Sequence, residues 1–201
     1  MPCAFSLELL RKVAVFHGHE CPGLTIGIRA AELALRELGG PGPDLVAVSE
    51  TDMCGVDAIQ VLTGCTYGKG NLIHRDLGKM AFSFYRRGAG GFRAVLRPEA
   101  RGGMDEEMGA LFRKQSDGAA TPEEEVRARV LREELRRRFL DLELEEMFTI
   151  TPLPERPPRP ARVLRSLACD SCGEMTMESR TRRFDGQTLC ISCFEAVEQK
   201  I

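Results

Sequence analysis

The 201-residue chain has almost no net charge, few histidines and no long apolar run. A formal charge of −2 leaves no global field to draw in nucleic acid or a membrane surface. No apolar stretch approaches the roughly 18 residues needed to span a bilayer. The N-terminus, Met-Pro-Cys-Ala-Phe-Ser, lacks the basic and long apolar regions of a signal peptide. These absences predict a soluble, cytoplasmic protein without a membrane partner. Also missing are a ferredoxin-type C-x2-C-x2-C-x3-C run and the GxxxxGK(S/T) loop that cradles phosphates.

Thiols, by contrast, are plentiful. Of the eight cysteines, Cys3, Cys21, Cys54 and Cys65 are spread over the first third, while Cys169, Cys172, Cys190 and Cys193 form two CxxC pairs near the end. In a chain with no signal peptide they point to metal or thiol chemistry rather than disulfides. The 43% hydrophobic content is enough for one medium domain with a small appendage.

The terminal pairs are separated by seventeen residues, a spacing that fits a tetrahedral zinc site with four cysteine ligands. A segment of about thirty-five residues cannot build a stable apolar core, so the zinc would supply its folding energy. Four thiolates close the coordination shell, which makes this zinc structural rather than catalytic. Phe194 to Glu198 reads as the short helix that closes a treble clef. Nearly balanced charge and the want of an aromatic stacking platform argue against nucleic acid as the finger's partner.

The other concentration of chemistry is Phe16-His17-Gly18-His19-Glu20-Cys21-Pro22-Gly23, which holds two of the three histidines. In an extended segment His17, His19 and Cys21 alternate onto one side. Imidazole and thiolate are donors preferred by zinc and other borderline-soft ions. A thiol beside imidazoles at a helix start is equally a candidate low-pKa nucleophile.

Around this motif the chain reads as alternating helices and strands. Ser6 caps a first helix with Leu9, Leu10, Val13 and Phe16 as its apolar stripe. Leu24 to Leu38 forms a second, ended by Gly39-Gly40-Pro41-Gly42-Pro43. Leu45 to Val48 suits a buried strand, delivering Glu50, Asp52 and Cys54 to its C-terminal end. A helix from Gly55 puts Cys54 at its N-terminus, where backbone N–H groups favour a thiolate. The Gly-rich stretch from Thr63 to Leu72 carries Lys69 and Asn71 in a loop able to approach a ligand. Lys79 to Tyr85 and Phe92 to Leu96 read as strands, and Met104 to Lys114 as a short helix. Thr121-Pro122-Glu123-Glu124 opens a long helix to about Phe139, whose alternating charges are assigned to a solvated face. Glu146 to Thr151 is read as a last strand. Domain boundaries follow: a core over 1–151, a Pro/Arg-rich linker over 152–165 and the finger over 166–201. In the linker Arg156, Arg159, Arg162 and Arg165 would align on one side of a polyproline-like helix.

Two blocks, FHGHECPGLTIGIRAAEL and CGVDAIQVLTGCTYGKGNLIHRDLGKMAFSFY, resemble the signatures of the FmdE family, which takes its name from formylmethanofuran dehydrogenase, over roughly residues 10 to 150. The resemblance implies an α+β core with a mixed, thioredoxin-like sheet flanked by helices, followed by a treble-clef zinc finger. It also implies a core site able to carry zinc or another soft transition metal. His17, His19, Cys21, Cys54 and Cys65 match the polar positions of the motifs, with Cys21 and Cys54 ranked first. The core lacks a thioredoxin CxxC pair, so disulfide exchange is not inferred.

Three readings remain. In one, the protein is a metal-handling accessory of a molybdenum or tungsten oxidoreductase. In another it is a zinc enzyme, with Cys21, Cys54, Glu50 and Asp52 (and Glu20) as catalytic candidates and Lys69 and Asn71 holding substrate. In the third it is a zinc-finger adaptor. A homodimer suits a domain of this size, though no seam in the sequence marks one.

Overall fold

The computed structural model describes residues 3–153 and 157–198. The chain divides into two compact units, Met1–Pro160 and Ala161–Ile201. Among the described residues no helix is long and apolar enough to cross a membrane.

The first unit is a mixed sheet with helices packed on it. Helix α1 (Leu7–His17) starts at Ser6, whose hydroxyl accepts from the Leu9 N–H at 3.3 Å. It enters the HGHECPG motif and stops at Gly18, whose φ of 92° lets its N–H close on the Ala14 carbonyl. His17 therefore lies on a helix rather than in an extended segment. Phe16, expected on the buried stripe, is 58% exposed, whereas Val13 is fully buried. Helix α2 (Pro22–Leu38) follows after four residues, with Cys21 as its N-cap and Pro22 in its first turn.

Strand β1 (Leu45–Ser49) is buried throughout. Helix α3 (Gly55–Thr63) carries it over to β2 (Leu72–His74), a short parallel strand at the end of the Gly-rich stretch, where the residue pattern predicts loop alone. Then β3 (Ala81–Arg86) and β4 (Gly90–Leu96) form an antiparallel hairpin. Helices α4 (Asp105–Ser116) and α5 (Pro122–Asp141) come next. At the start of α5 Thr121 and Glu124 form a reciprocal capping box.

Glu146 and Met147 belong to a short helix, α6 (Leu144–Met147), so the last strand, β5 (Phe148–Leu153), begins later than expected. It also continues past residue 151, pairing Pro152 with Phe92 and Leu153 with Gly91. Proline is tolerated there because β5 is an edge strand. Residues 154–156, including Arg156 of the proposed arginine row, lie outside the described residues. Arg165 is already engaged by Glu178 at 2.8 Å.

Sheet order is β2-β1-β3-β4-β5, with only β1 and β2 parallel. Ile26, Ala30 and Leu33 of α2, Ile59 of α3, and Leu135 and Phe139 of α5 join Phe82, Phe84, Phe92 and Ala94 of the sheet in one apolar core. A second cluster holds Val13, Leu24, Ile28, Ala31, Ala58 and Leu62, with Cys21 and Cys54 packed on its border.

Glycine sets the distance between α2 and α3. A Cβ built on Gly27 would fall 2.1 Å from the Gly55 carbonyl oxygen, and one on Gly55 would fall 3.1 Å from the Gly23 oxygen. Gly23 and Gly27 are one helical turn apart and share a face, so the N-terminal turn of α3 rests on bare backbone.

In the second unit Cys169 and Cys172 flank the turn between β6 (Ser166–Ala168) and β7 (Met175–Met177). A second hairpin pairs β8 (Thr181–Phe184) with β9 (Gln187–Cys190) across Asp185-Gly186, both at positive φ as a type I′ turn requires. Cys190 ends β9 and Cys193 lies in the first turn of α7 (Ile191–Glu198). The Asp170 carboxylate accepts from the Thr188 N–H at 2.6 Å, locking the two hairpins together.

Gly27→Ala forces α2 and α3 apart and should lower unfolding stability by about 1–3 kcal/mol, the usual cost of overpacking. Gly40→Ala, where a Cβ meets nothing within 4 Å, should stay within about 0.5 kcal/mol. Urea denaturation of both variants checks this; equal midpoints would refute the role given to the glycine contact.

Candidate metal centre

Because α1 ends at Gly18 and α2 begins at Pro22, the intervening residues fold back and bring the ends of both helices together. One donor atom each from His17, His19 and Cys21 lies within 4.8 Å of the others. The rings of His17 and His19 face one another with centroids 4.5 Å apart. His17 Nδ1 is 2.7 Å from the Asp57 carboxylate, which turns Nε2 towards Cys21 Sγ at 4.0 Å. A tetrahedral zinc bound to one nitrogen and one sulfur at ordinary bond lengths holds those atoms about 3.6 Å apart. The donor set therefore fits a soft divalent ion after a shift of a few tenths of an ångström. An imidazole buttressed by a carboxylate on its far nitrogen is the usual support of a metal-bound histidine.

Cys21 and Cys54 meet across Gly23. A Cβ on Gly23 would lie 3.6 Å from Cys54 Sγ and 3.9 Å from Cys21 Sγ. Each thiol sits at the N-cap of its helix, and Cys21 Sγ accepts from the Leu24 N–H at 3.3 Å. The low-pKa nucleophile expected at Cys21 is nevertheless not what its surroundings produce. Burial pushes this thiol up, the Leu24 N–H pulls it partly back, and the neighbouring Cys54 adds to the rise. A coordinating cation reverses that balance by deprotonating the thiol outright, so a metal-ligand role suits Cys21 better than that of a free nucleophile.

The remaining candidates are placed elsewhere. Cys65 is fully buried in the main core and donates to the Leu45 carbonyl at 3.3 Å, which removes it from the ligand set. Burial raises its pKa as well. Glu50 is gripped by both arms of Arg93 at 2.6 and 2.7 Å, and that hydrogen bonding lowers its pKa. The pair holds Glu50 as the carboxylate. Asp52 is exposed and lines a separate cavity of about 360 Å3 beside Ser49, Gln60, Tyr67 and His74. Lys69 Nζ donates to the Gly64 carbonyl. Asn71 accepts from the Thr66 N–H at 3.0 Å and donates to the Leu45 carbonyl at 3.1 Å. Lys69 and Asn71 thus brace their own loop, and both line a separate cavity of about 630 Å3 with Pro41, Gly42, Pro43, Thr63 and Gly64.

Two features of the centre carry little signal in the sequence. Asp57 orients His17, and its only mark is its place three residues after Cys54. Helix α5 contributes Arg129, Arg132, Glu133 and Arg136 to a cavity of about 340 Å3 whose other wall holds His19, Glu20 and Cys21. Their spacing of three, four and seven residues marks one helical face, although the charge pattern alone predicts a solvated one.

In the second unit Cys169, Cys172, Cys190 and Cys193 bring their sulfurs within 4.8 Å of one another. Cys172 and Cys190 are 4.0 Å apart, against about 3.8 Å across a tetrahedral zinc–tetrathiolate site. Backbone N–H groups of Cys172 and Cys190 bring Cys169 down to about 6, whereas burial and the neighbouring thiols push Cys172 up to about 12, so it takes a bound cation to deprotonate all four. This is a four-cysteine cluster of the structural zinc type.

Comparison with known proteins agrees with this division. A family model described as FmdE, molybdenum formylmethanofuran dehydrogenase operon, matches residues 16–149. A second, described as the prokaryotic dksA/traR C4-type zinc finger, matches residues 162–199. A protein of Archaeoglobus fulgidus named probable S-adenosyl-L-methionine-binding protein is 33% identical over 196 residues, which are 92% of this chain and 52% of that protein. The chain thus spans about half the length of that relative. The crystal structure of a tungsten formylmethanofuran dehydrogenase FmdE-like protein from Syntrophus aciditrophicus superposes with a TM-score of 0.61 at 26% identity, covering 96% of this chain and 93% of that one.

Asp57→Asn should weaken zinc binding at the core centre about 10–100-fold without disturbing the finger, as read by chelator competition on the full chain. Unchanged affinity would remove Asp57 from the centre. Glu50→Gln should cost about 1–3 kcal/mol at neutral pH, the worth of a hydrogen bond to a charged group. Because the folded pKa of Glu50 lies below its ordinary 4.5, this stabilisation is complete above about 4.5 and fades as pH falls towards the folded value. The gap between wild-type and variant urea midpoints should close in acid; a gap independent of pH would contradict the ion pair.

Proposed function

The chain belongs to the FmdE family, and from that membership and the geometry of its core centre we propose a metal-binding accessory protein serving a molybdenum or tungsten formylmethanofuran dehydrogenase-type oxidoreductase. His17, His19 and Cys21 hold zinc or another soft transition-metal ion, with Asp57 fixing the His17 ring; Cys54, outside that 4.8 Å group but next to Cys21, is the further donor that can move in to join them. The observation that carries this reading is the convergence of three soft donors with a carboxylate already seated on the far nitrogen of one of them. The finger zinc is structural and the module a treble clef, consistent with its order of cysteine-bearing turn, hairpin and helix.

For the first unit the order β2-β1-β3-β4, a parallel strand–helix–strand followed by an antiparallel hairpin, supports a thioredoxin-like core. We place its end at or beyond Leu153, with the Pro/Arg-rich linker between it and the finger. The S-adenosylmethionine binding in the relative's name is not carried over, since about half of that protein has no counterpart here. A zinc-dependent enzyme is the second reading, favoured by the cavity that opens beside His19 and Cys21. In either case a bound ion would act as a Lewis acid towards a group entering that cavity.

Metal content of anaerobically purified full-length protein, by mass spectrometry, tests the proposal. Two metal ions per chain are expected in the wild type and one in the Cys21→Ala, Cys54→Ala variant, the survivor belonging to the finger. One ion in both, even after incubation with zinc, would overturn the core metal site.

A further inference from the structure

Apart from the contact of Arg136 with Glu20, the arginine-bearing face of α5 is given no part in holding the donors of the metal centre, yet it forms the opposite wall of the cavity they open into. We infer that this cavity is an anion-binding pocket: Arg129 and Arg132 receive the carboxylate or phosphate group of a small-molecule ligand whose other end lies against the His19 and Cys21 donors. The inference rests on reading that cluster as the functional centre, and it adds the chemical class of what the centre meets.

The charges lining the cavity do not cancel locally. Both of its carboxylates pair with Arg136, and Glu133 also accepts from Arg137 at 2.8 Å. Glu133 takes a bidentate pair at 2.7 and 2.9 Å, and Glu20 approaches the same guanidinium at 3.5 Å. Arg132 donates to the neutral side-chain oxygen of Gln115 at 2.5 Å. That bond fixes its guanidinium without offsetting its charge. Among the described residues Arg129 forms no hydrogen bond or ion pair, although Glu125, four residues earlier, is spaced for an intrahelical one. Three arginines against two glutamates leave one net positive charge on the wall, and it resides on the two arginines that lack an acidic partner.

A solvated helical face would spread such charge over open surface. Here it faces a cavity of about 340 Å3, within the range of about 300–1,000 Å3 typical of small-ligand sites. Guanidinium presents paired N–H donors matched to the two oxygens of a carboxylate or phosphate. The Glu20–Arg136 contact ties the HGHECPG loop to α5, so the two walls are joined at one end. An oxyanion on Arg129 and Arg132 would leave the remainder of its molecule directed across the cavity towards the soft donors.

Calorimetric titration of the full-length protein with inorganic phosphate and with malonate, at constant ionic strength set by chloride, tests this. One saturable anion per chain is expected for at least one probe, and the tighter of the two identifies the group as phosphate or carboxylate. Arg129→Gln with Arg132→Gln should weaken binding by at least about tenfold, the equivalent of losing one charge-assisted contact or more. Arg97→Gln, which removes one charge from an exposed residue outside the cavity and so matches the Arg129→Gln single variant, should bind as wild type. Should the double variant fold poorly, Arg129→Gln alone, which removes an exposed and unpartnered side chain, should still weaken binding. No saturation by either probe up to about 20 mM, or equal affinity in wild type and arginine variants, overturns the pocket. Cys21→Ala with Cys54→Ala should keep anion binding, because the arginines alone hold the probe. Anion binding together with a failed metal-content test would refute only the metal centre; two metals without anion binding would refute only the pocket.

Discussion

The contact on which this fold depends is one between two backbones. Helix α3 begins where α2 has no side chains to fend it off, and the Gly27–Gly55 approach leaves no room for a methyl group on either side. Close approach at that point places two helix N-termini side by side, each with a cysteine at its cap. It also brings the first turn of α3 under the end of α1, so that Asp57 reaches His17. Donors forty residues apart in the chain become neighbours through packing that uses no polar contact. Widening that one crossing would separate Cys21 from Cys54 and His17 from Asp57 together. Stability and metal geometry are therefore coupled through the same three glycines.

The two cysteine-rich centres use one donor chemistry for different ends. In the finger all four thiols come from a small unit with a minimal apolar cluster of Cys169, Leu189 and Cys190; the metal replaces the core that so short a segment cannot build. The first unit is built on a large apolar core. Its donors instead sit at the border of the smaller cluster, with His19 exposed and a cavity beside it. Soft donors placed where stability gains little from them would be free, on the reading proposed above, to serve exchange or chemistry.

Much of this is legible in the residues. The Thr121–Glu124 capping box, the buried strand at Leu45 and the helix from Gly55 all follow from local rules that tertiary packing does not override. The CxxC pairs are legible because their spacing is itself the geometry of the site. The HGHECPG motif reads as a cluster of donors, but for the wrong local reason. Its residues predict alternation along an extended strand, whereas a helix stop at Gly18 and a helix start at Pro22 make the turn. Cys65 and Cys54 look alike in sequence; only the path of the chain sends one into the core and the other to a helix cap. Lys69 and Asn71 illustrate the same limit, since a Gly-rich loop with polar residues reads equally as ligand-binding or as self-bracing. Asp57 and the α5 arginines carry no signal of their own, because their meaning lies in what faces them across space.

That last point bears on what the centre selects. The N-termini of α2 and α3 both point their unsatisfied N–H groups at the Cys21–Cys54 region, which favours negative charge there. Two thiolates would answer that field, and a divalent ion between them would in turn be neutralised by them. Glu20 and Glu133 are taken up by Arg136, and Arg137 holds Glu133 as well. After these pairings the charge left facing the cavity is that of Arg129 and Arg132. A neutral or cationic molecule gains nothing from it, whereas an anion gains two forked donors and access to the wall that carries His19 and Cys21. The electrostatic residue of the site, once every internal pair is counted, thus points to an anionic guest.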